Sequence, residues 1–302
     1  MDIKLFFDRI AKANEEQNLG LYGIAANRDG IFLGEHRFMP DIPHPMYSLS
    51  KSFVSVGMGI ARDEGLLSFD DRVIDYFPEF TPKDANENLR KLTIKHLLTM
   101  SCGRIEPALK LISKEGEPDP VEQFLYAQPE REPGTVFNYD SGCTYMLGAI
   151  VQKITGQKMQ DYLIPRLFLP LGIEELTWSV CSKGRTLCGS GLFLRTKQIL
   201  PFGQMLLDGG VYNGRRLVSE GFIKEASMNH ISTEMCEIPD KRLGYGYQFW
   251  MAREGAYRAS GAYAQGCLVI PKYGIVITYT AWNGNLQGIL DAIWDNIAAI
   301  NS

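Results

Sequence analysis

The sequence predicts an α+β fold in which an antiparallel β-sheet is flanked by N- and C-terminal helices and a mostly helical lobe is inserted. Both ends of the chain combine a helical stripe with strand-like runs, whereas the middle shows helical runs separated by Pro- and Gly-rich connections. Strands from the two ends can pair in one sheet covered by the terminal helices. Residues 1–72 and 190–302 are predicted to form the sheet lobe and residues 73–189 the helical lobe, with the site in the groove between them.

The N-terminal part is predicted to be a helix followed by a hairpin. Apolar residues at positions 3, 6, 7 and 10 lie on one face of a helix. The run "LYGIAANRDGIFLGEHRF" places Asp29-Gly30 between two apolar stretches. This pair favours a tight hairpin, because such turns require positive φ angles.

The rest of the chain divides into a helical middle and a C-terminal part rich in strands. Helical runs in the middle include "LTIKHLLTM", "PVEQFLYAQ" and "YMLGAIVQKITG". From Gly244 onward, aromatic and β-branched residues predict strands in "GYGYQFWMAR", "AYRASG", "QGCLVIP" and "YGIVITYTAW". Apolar residues at 286, 289, 290, 293, 294, 297 and 300 then predict a final helix.

Composition and charge exclude several classes of partner. The 302 residues include 31 basic and 35 acidic ones, with no block of like charge, which argues against nucleic acid and anionic membrane as partners. No secretory signal and no membrane span is recognisable, and the six cysteines show no CxxC pairing. We therefore expect a cytoplasmic protein with reduced thiols and no obvious protein partner.

The stretch "YSLSKSF" at residues 47–53 opens an apolar run and carries the strongest chemical signal. Ser48 and Lys51 are three residues apart, so they share one face of the first turn of a predicted helix. Burial and the positive end of the helix both favour a neutral lysine, which could take the proton of the serine. The alternative is that Ser48 caps the helix and Lys51 is solvated. Ser50 does not share the lysine's face and is the poorer nucleophile candidate.

The order of several further segments favours a catalytic Ser48–Lys51 pair over a simple helix cap. The chain resembles the serine β-lactamase and penicillin-binding protein superfamily, and most closely its class C β-lactamase-like branch of esterases, amide hydrolases and D-amino-acid peptidases. "YSLSKSF" resembles the S-x-x-K element of that family. Four later segments also resemble it: "GLLSFDDRVIDYFPEF", "LTIKHLLTMSCG", "PGTVFNYDSGCTYMLGAIVQKITG" and "GSGLFLRTKQILPFGQMLLDGGVYNGRRLVSE". The resemblance implies that Ser48 is the nucleophile and Lys51 its base.

The second element of the family, Tyr-x-Asn or Tyr-x-Ser, matches Tyr139 and Ser141 in "NYDSG". The resemblance implies that Tyr139 passes protons to the leaving group and that Ser141 belongs to the substrate site. The adjacent lysine is expected to stabilise the anion of the phenol. Asp140 is expected to cap a helix or to face outward. Without the resemblance, Tyr139 would be a buried tyrosine ahead of that helix.

The third element, Lys-Thr-Gly in lactamases, matches Ala259-Ser260-Gly261 in "ASGAYAQG". The resemblance implies that Ser260, Gly261 and Ala262 contact the substrate, and that the N–H groups of Ala262 and Ser48 form the oxyanion hole. The alternative is a glycine-containing hairpin strand with no role in a site.

The lack of a lysine at position 259 leads to an expectation about the substrate. A cation there would attract a carboxylate, and Arg258 should face away because side chains alternate along a strand. Uncharged esters or amides are therefore expected to be preferred over carboxylate-bearing β-lactams. Four aromatic residues could line an acyl pocket or simply pack the sheet: Tyr245, Tyr247, Trp250 and Tyr263.

No metal or other cofactor is expected. The four histidines are scattered without zinc-site spacing, and the sequence contains no P-loop and no G-x-G-x-x-G motif. The predicted function is that of a serine hydrolase that forms an acyl-enzyme with a small ester, amide or β-lactam. The alternative is a non-catalytic ligand-binding or sensor module on the same fold.

Overall fold

The computed structural model of the protein describes residues 2–107 and 118–301, and its main sheet is antiparallel with the strand order β2-β1-β11-β10-β9-β8. Strands from both ends of the chain meet where β1 pairs with β11, as predicted. The strands are β1 Leu21–Arg28, β2 Ile31–Arg37, β3 His44–Pro45, β4 Thr177–Trp178, β5 Leu192–Leu194, β6 Val211–Tyr212, β7 Arg215–Arg216, β8 Trp250–Met251, β9 Tyr257–Gly261, β10 Gln265–Ile270 and β11 Ile275–Ala281.

Helices cover the sheet and fill the middle of the chain. This distribution confirms the predicted α+β class, whereas the lobe boundaries at 72/73 and 189/190 stay predictions. The helices are α1 Ile3–Glu16, α2 Ser50–Asp63, α3 Val73–Tyr76, α4 Glu87–Lys91, α5 Ile94–Leu98, α6 Pro120–Tyr126, α7 Ser141–Thr155, α8 Met159–Leu163, α9 Leu200–Leu207, α10 Glu220–Ala226, α11 Leu286–Asn296 and α12 Ala298–Asn301.

The predicted hairpin is confirmed, and it lies at one edge of the main sheet. Asp29 and Gly30 join β1 to β2 with φ angles of 48° and 78°. Positive φ at both turn positions matches the right-handed twist of the two strands. The apolar stripe of α1 buries Phe6, Phe7 and Ile10 in a core that it shares with α11 and one face of the sheet.

The second, larger core lies on the other face of the sheet and contains α2. Twelve of the fourteen residues of α2 are buried, because α7, α8 and β9 pack around it. Phe53 of α2 stacks on Phe202 of α9 with ring centroids 3.9 Å apart. This burial fixes α2, and with it the turn that precedes it, against the sheet.

The predicted strand "GYGYQFWMAR" is mostly wrong, since only Trp250–Met251 pairs as a strand. The chain folds back against the end of α10, where a Cβ on Gly246 would overlap the carbonyl oxygen of Ala226. Gln248 has a φ of 62°, and its side-chain amide donates to the carbonyls of Leu97 and Leu98. These contacts replace the ladder hydrogen bonds of a strand.

Candidate active site

Ser48 lies in a 3₁₀ turn, Tyr47–Leu49, and the α-helix begins two residues later at Ser50. The sequence predicts that Ser48 lies in the first turn of the helix, whereas in the structure the serine precedes that turn. Tyr47 adopts a φ of 47°, an unfavourable conformation for a bulky residue. Such backbone outliers cluster at functional sites, where the surrounding structure holds them. Strand β5 helps to hold this turn in place, because the carbonyl oxygen of Leu192 accepts a hydrogen bond from the N–H of Met46 at 2.8 Å.

Lys51 is almost wholly buried and contacts three oxygen atoms. Its Nζ lies 3.0 Å from Ser48 Oγ, 2.9 Å from Ser141 Oγ and 2.6 Å from the carbonyl oxygen of Gly189. An ammonium group has three donors, so these contacts account for all of them. The lysine is therefore held in one orientation, directed at the Ser48 hydroxyl.

Burial lowers the pKa of Lys51 to about 7, and the nearby Asp140 carboxylate opposes this shift. A free lysine has a pKa of about 10.4, so it is protonated at neutral pH. In this site a large fraction of Lys51 is unprotonated at neutral pH. The neutral amine can accept the proton of Ser48 across their hydrogen bond.

Tyr139 lies beside both residues but is not an ionised phenol. Desolvation raises the pKa of Tyr139 to about 12, and an interaction with the Ser48 side chain opposes the shift. The Lys51 Nζ is 5.1 Å from the centre of the Tyr139 ring. The expectation that the lysine stabilises the phenolate is therefore wrong, because burial disfavours the anion more strongly. A neutral phenol next to the serine can donate a proton.

Asp140 caps α7 and is buried rather than facing outward. Its carboxylate accepts the N–H of Gly142 at 2.7 Å and pairs with Arg104 at 3.4 Å. Both side chains of the pair are at most 2% exposed. Arg104 also donates to the carbonyl oxygens of Phe124 and Ala127. The expected cap is confirmed, and this ion pair behind the lysine is a feature that the sequence motif does not indicate.

The third element approaches the Ser48 turn through Gly261. A Cβ at this position would overlap the carbonyl oxygen of Met46 and lie 3.2 Å from the N of Leu49. Only glycine allows β9 to come so close to the turn, because any side chain at position 261 would collide with the backbone of Met46. The side-chain amide of Gln265 donates to the carbonyl oxygens of Ala262 at 3.3 Å and Ala281 at 2.6 Å, which fixes the turn after β9.

These elements surround one cavity of about 380 Å³, a size suited to a small-molecule substrate. Five predicted site residues lie on its wall. The wall is formed by Ser48, Phe137, Tyr139, Cys236, Glu237, Ile238, Lys241, Trp250, Ser260, Gly261 and Ala262. Lys51 and Ser141 lie behind this wall, where the Ser141 hydroxyl contacts the lysine.

The four aromatic residues divide between the two predicted roles. Trp250 lines the cavity and stacks on Tyr139, with ring centroids 5.8 Å apart. Tyr245 and Tyr247 are buried in the core, so they pack the structure. Tyr263 lies beside Tyr47, with ring centroids 5.1 Å apart, and lines a separate, smaller cavity.

Several site residues lie outside the three elements that contain Ser48, Tyr139 and Gly261. Phe137 precedes the Tyr139 element, whereas Glu237, Ile238 and Lys241 belong to the connection between α10 and β8. A loop residue reaches the cavity through tertiary folding alone, so periodicity gives no signal for it. Gly189 is part of a segment that resembles the family, but its carbonyl contact with Lys51 is visible only in the structure.

One cluster of metal-ligand types lies near the site. A ligand atom from each of Cys102, Asp140 and Cys143 lies within 4.8 Å of the other two. The Asp140 carboxylate is already paired with Arg104, whose positive charge would repel a cation. The interaction between the two thiols lowers the pKa of Cys102 to about 7, whereas the same interaction and burial raise the Cys143 pKa well above its usual value, so Cys143 stays a thiol rather than a metal-binding thiolate. The cluster does not fit a metal ion.

Comparison with known proteins agrees with this geometry. The sequence profile of the Beta-lactamase family matches residues 15–298, which is most of the chain. The chain belongs to the Beta-lactamase family. The predicted resemblance is thereby confirmed, and with it the prediction of a family hydrolase of the ester- or amide-cleaving kind; the comparisons do not favour the non-catalytic alternative.

Individual relatives are distant. The 6-aminohexanoate-dimer hydrolase of Paenarthrobacter ureafaciens is 25% identical over 281 residues, which span 84% of this chain and 72% of the relative. Penicillin-binding protein 4 of Amycolatopsis lactamdurans is 38% identical over 157 residues, but the match spans 51% of this chain and only 37% of that protein. The whole activity of such longer relatives therefore does not transfer directly.

Solved structures support the fold. A penicillin-binding protein homologue from Pyrococcus abyssi superimposes with a TM-score of 0.75 at 18% sequence identity, covering 100% of this chain and 78% of the other. Within residues 2–107 and 118–301, no helix has the length and apolar character that crossing a membrane requires.

Proposed function

We propose that this hydrolase forms an acyl-enzyme at Ser48, with Lys51 as the general base and Tyr139 as the proton donor. The observation that carries the proposal is the 3.0 Å contact between Lys51 Nζ and Ser48 Oγ, made by a buried lysine whose pKa is lowered to about 7. A base with a pKa near neutrality combines the unprotonated form with a useful proton affinity.

In the first step, neutral Lys51 takes the Ser48 proton as Oγ attacks the carbonyl carbon of the substrate. The bond from Oγ to carbon forms, and the carbonyl π electrons move to the oxygen. We assign the backbone N–H groups of Ser48 and Ala262 as donors to this oxyanion. The close approach of β9 to the Ser48 turn through Gly261 supports this pairing of amides from two different elements.

In the second step, the carbon–leaving-group bond breaks and Tyr139 donates its proton to the departing oxygen or nitrogen. A phenol with a pKa of about 12 can protonate a more basic alkoxide or amide anion. The protonated Lys51 then returns a proton to the phenol. Ser141 and the carbonyl of Gly189 serve as positioning groups, because both hold the lysine amine in place.

The substrate class proposed is a small ester or amide, with β-lactams as a special case of the amide. The cavity of about 380 Å³ suits a small acyl compound, and Ser260, Gly261 and Ala262 on its wall are proposed to contact it. The relative named as a 6-aminohexanoate-dimer hydrolase supports an amide as the substrate. The relative named as a penicillin-binding protein supports the inclusion of β-lactams in the proposed substrate class.

The non-catalytic alternative explains the site less well. A binding module has no need to bury a lysine on a serine hydroxyl, because burial of this amine carries a large desolvation cost. Active sites commonly contain such destabilising groups, because catalysis requires them.

The test uses the purified protein with p-nitrophenyl esters, nitrocefin and D-alanyl peptides. Wild type should release product from at least one class with a burst equal to one acyl group per protein molecule. Ser48→Ala should abolish both the burst and turnover, whereas Ser50→Ala should retain them, since the Ser50 hydroxyl accepts the N–H of Leu192 instead. Binding of every compound without turnover by correctly folded wild type would favour the sensor module.

A further inference from the structure

Lys241 is a cation on the wall of the cavity that no motif indicates. It ends the 3₁₀ turn Pro239–Lys241, and its Nζ lies 5.2 Å from the centre of the Trp250 ring. The same indole stacks on Tyr139. Trp250 thus contacts both Lys241 and Tyr139, the residue beside Ser48.

The Lys241 ammonium has no anionic partner in the part of the chain that the structure describes. Burial lowers the Lys241 pKa, and the positive charge of Arg258 lowers it further. Arg258 itself is fully buried and donates to the Met251 carbonyl at 3.0 Å. Glu237 lines the same cavity, but its side chain is exposed and forms no ion pair with Lys241. Arg258 does not line the cavity, so among the described residues Lys241 is a cation on the cavity wall that is not paired with a carboxylate.

Neighbouring side chains hold the backbone of Lys241 in this place. Arg253 donates to both oxygens of the preceding Asp240, at 2.9 and 2.8 Å. Gln287 contacts Asp240 through its amide nitrogen at 3.1 Å and accepts the Asp240 N–H at 3.1 Å. Arg242 donates to the carbonyl of Cys236 at 2.7 Å. The turn that carries the lysine is thus anchored on both sides.

We infer that Lys241 binds a carboxylate of the substrate, so that the site prefers esters and amides that carry one. A half-buried ammonium without a counter-ion gains a charge-assisted hydrogen bond when a carboxylate enters the cavity. This inference rests on the proposed function and specifies its substrate class. It replaces the expectation of an uncharged substrate, which was based on the lack of a lysine at position 259 in β9. The cation is supplied instead by Lys241, in the loop before β8.

The experiment uses two pairs of substrates in which only the charge differs. Mono-4-nitrophenyl adipate carries the carboxylate on the acyl side, and 4-acetoxybenzoate carries it on the leaving group. The methyl ester of each carboxylate is its neutral twin. Wild type should prefer at least one carboxylate over its twin by ~10- to 100-fold in kcat/KM, the range expected for a hydrogen bond to a charged group.

Lys241→Met should remove this preference, measured as the ratio of kcat/KM for each carboxylate to kcat/KM for its neutral twin, whereas Lys241→Arg should retain it. Lys224→Met, which removes an exposed charge on α10, is the matched control and should behave as wild type. Equal preference in wild type and Lys241→Met, or no preference in either pair, overturns the inference while Ser48-dependent turnover of the neutral esters still supports the proposed function. Turnover that survives Ser48→Ala would instead overturn the proposed function.

Discussion

The Lys51 amine lies 3.0 Å from the Ser48 hydroxyl, and the two residues belong to different local structures. Ser48 lies in the 3₁₀ turn and Lys51 in the first turn of α2. Because α2 is buried along nearly its whole length, its packing keeps the lysine side chain desolvated next to Ser48. The short contact and the lowered pKa thus have a common origin in the packing of α2.

The rate of acylation should rise with pH through about 7 and level off above it. Lys51 acts as a base only when unprotonated, and its pKa is lowered to about 7 by burial. Tyr139, with a pKa raised to about 12, stays protonated over the same range. Single-turnover kinetics between pH 5 and pH 9, with circular dichroism to confirm the fold, measure this. A flat profile would show that another group is the base.

Tyr139→Phe should lower the acylation rate by ~10²–10⁴-fold, the usual effect of losing a general acid. The ring stack on Trp250 remains, so the fold should be retained. The loss should be larger for amides than for p-nitrophenyl esters, because p-nitrophenolate leaves without being protonated. Equal losses for the two classes would contradict a role in leaving-group protonation.

Gly261→Ala should destabilise the protein and displace the Ser48 turn. The new methyl group would overlap the Met46 carbonyl, and overpacking of this kind typically costs ~1–3 kcal/mol. Gly221→Ala in α10 is the matched control, since a Cβ there meets nothing within 4 Å. Urea unfolding and esterase activity would be measured for both. Wild-type stability and activity of Gly261→Ala would show that the close approach is unimportant.

Arg104→Met should lower the free energy of unfolding by ~3–5 kcal/mol, because it removes the cation from a buried ion pair with Asp140. Lys153→Met removes a cation from an exposed pair with Glu79, where a loss of at most ~1 kcal/mol is expected. Urea denaturation of both variants tests the contrast. Similar losses would mean that the Arg104–Asp140 pair is effectively solvated.

Sequence reasoning succeeded where local chemistry and periodicity coincide. The Asp29-Gly30 turn, the stripe of α1 and the pairing of the terminal strands were all predicted, because each depends on residues close in sequence or on a strong apolar pattern. The order of the Ser48, Tyr139 and Gly261 elements indicated that they meet, and all three lie on the wall of one cavity.

Reasoning from sequence failed where tertiary contacts override local pattern. The aromatic run around Tyr245 has the composition of a strand, but contacts with the end of α10 bend it out of the sheet. The state of Tyr139 was predicted from its charged neighbour, whereas burial dominates. Lys241 reaches the cavity from a loop whose course depends on Arg253 and Gln287, and no spacing rule predicts such an anchor.

Labelling with a fluorophosphonate probe tests whether Ser48 is the nucleophile of this site. The probe reacts with an activated serine, and peptide mapping by mass spectrometry identifies the labelled residue. We expect a single label on Ser48, and we expect Lys51→Met and prior incubation with an ester substrate each to slow the labelling. Label on Ser50 or Ser141, or none on folded wild-type protein, would contradict it.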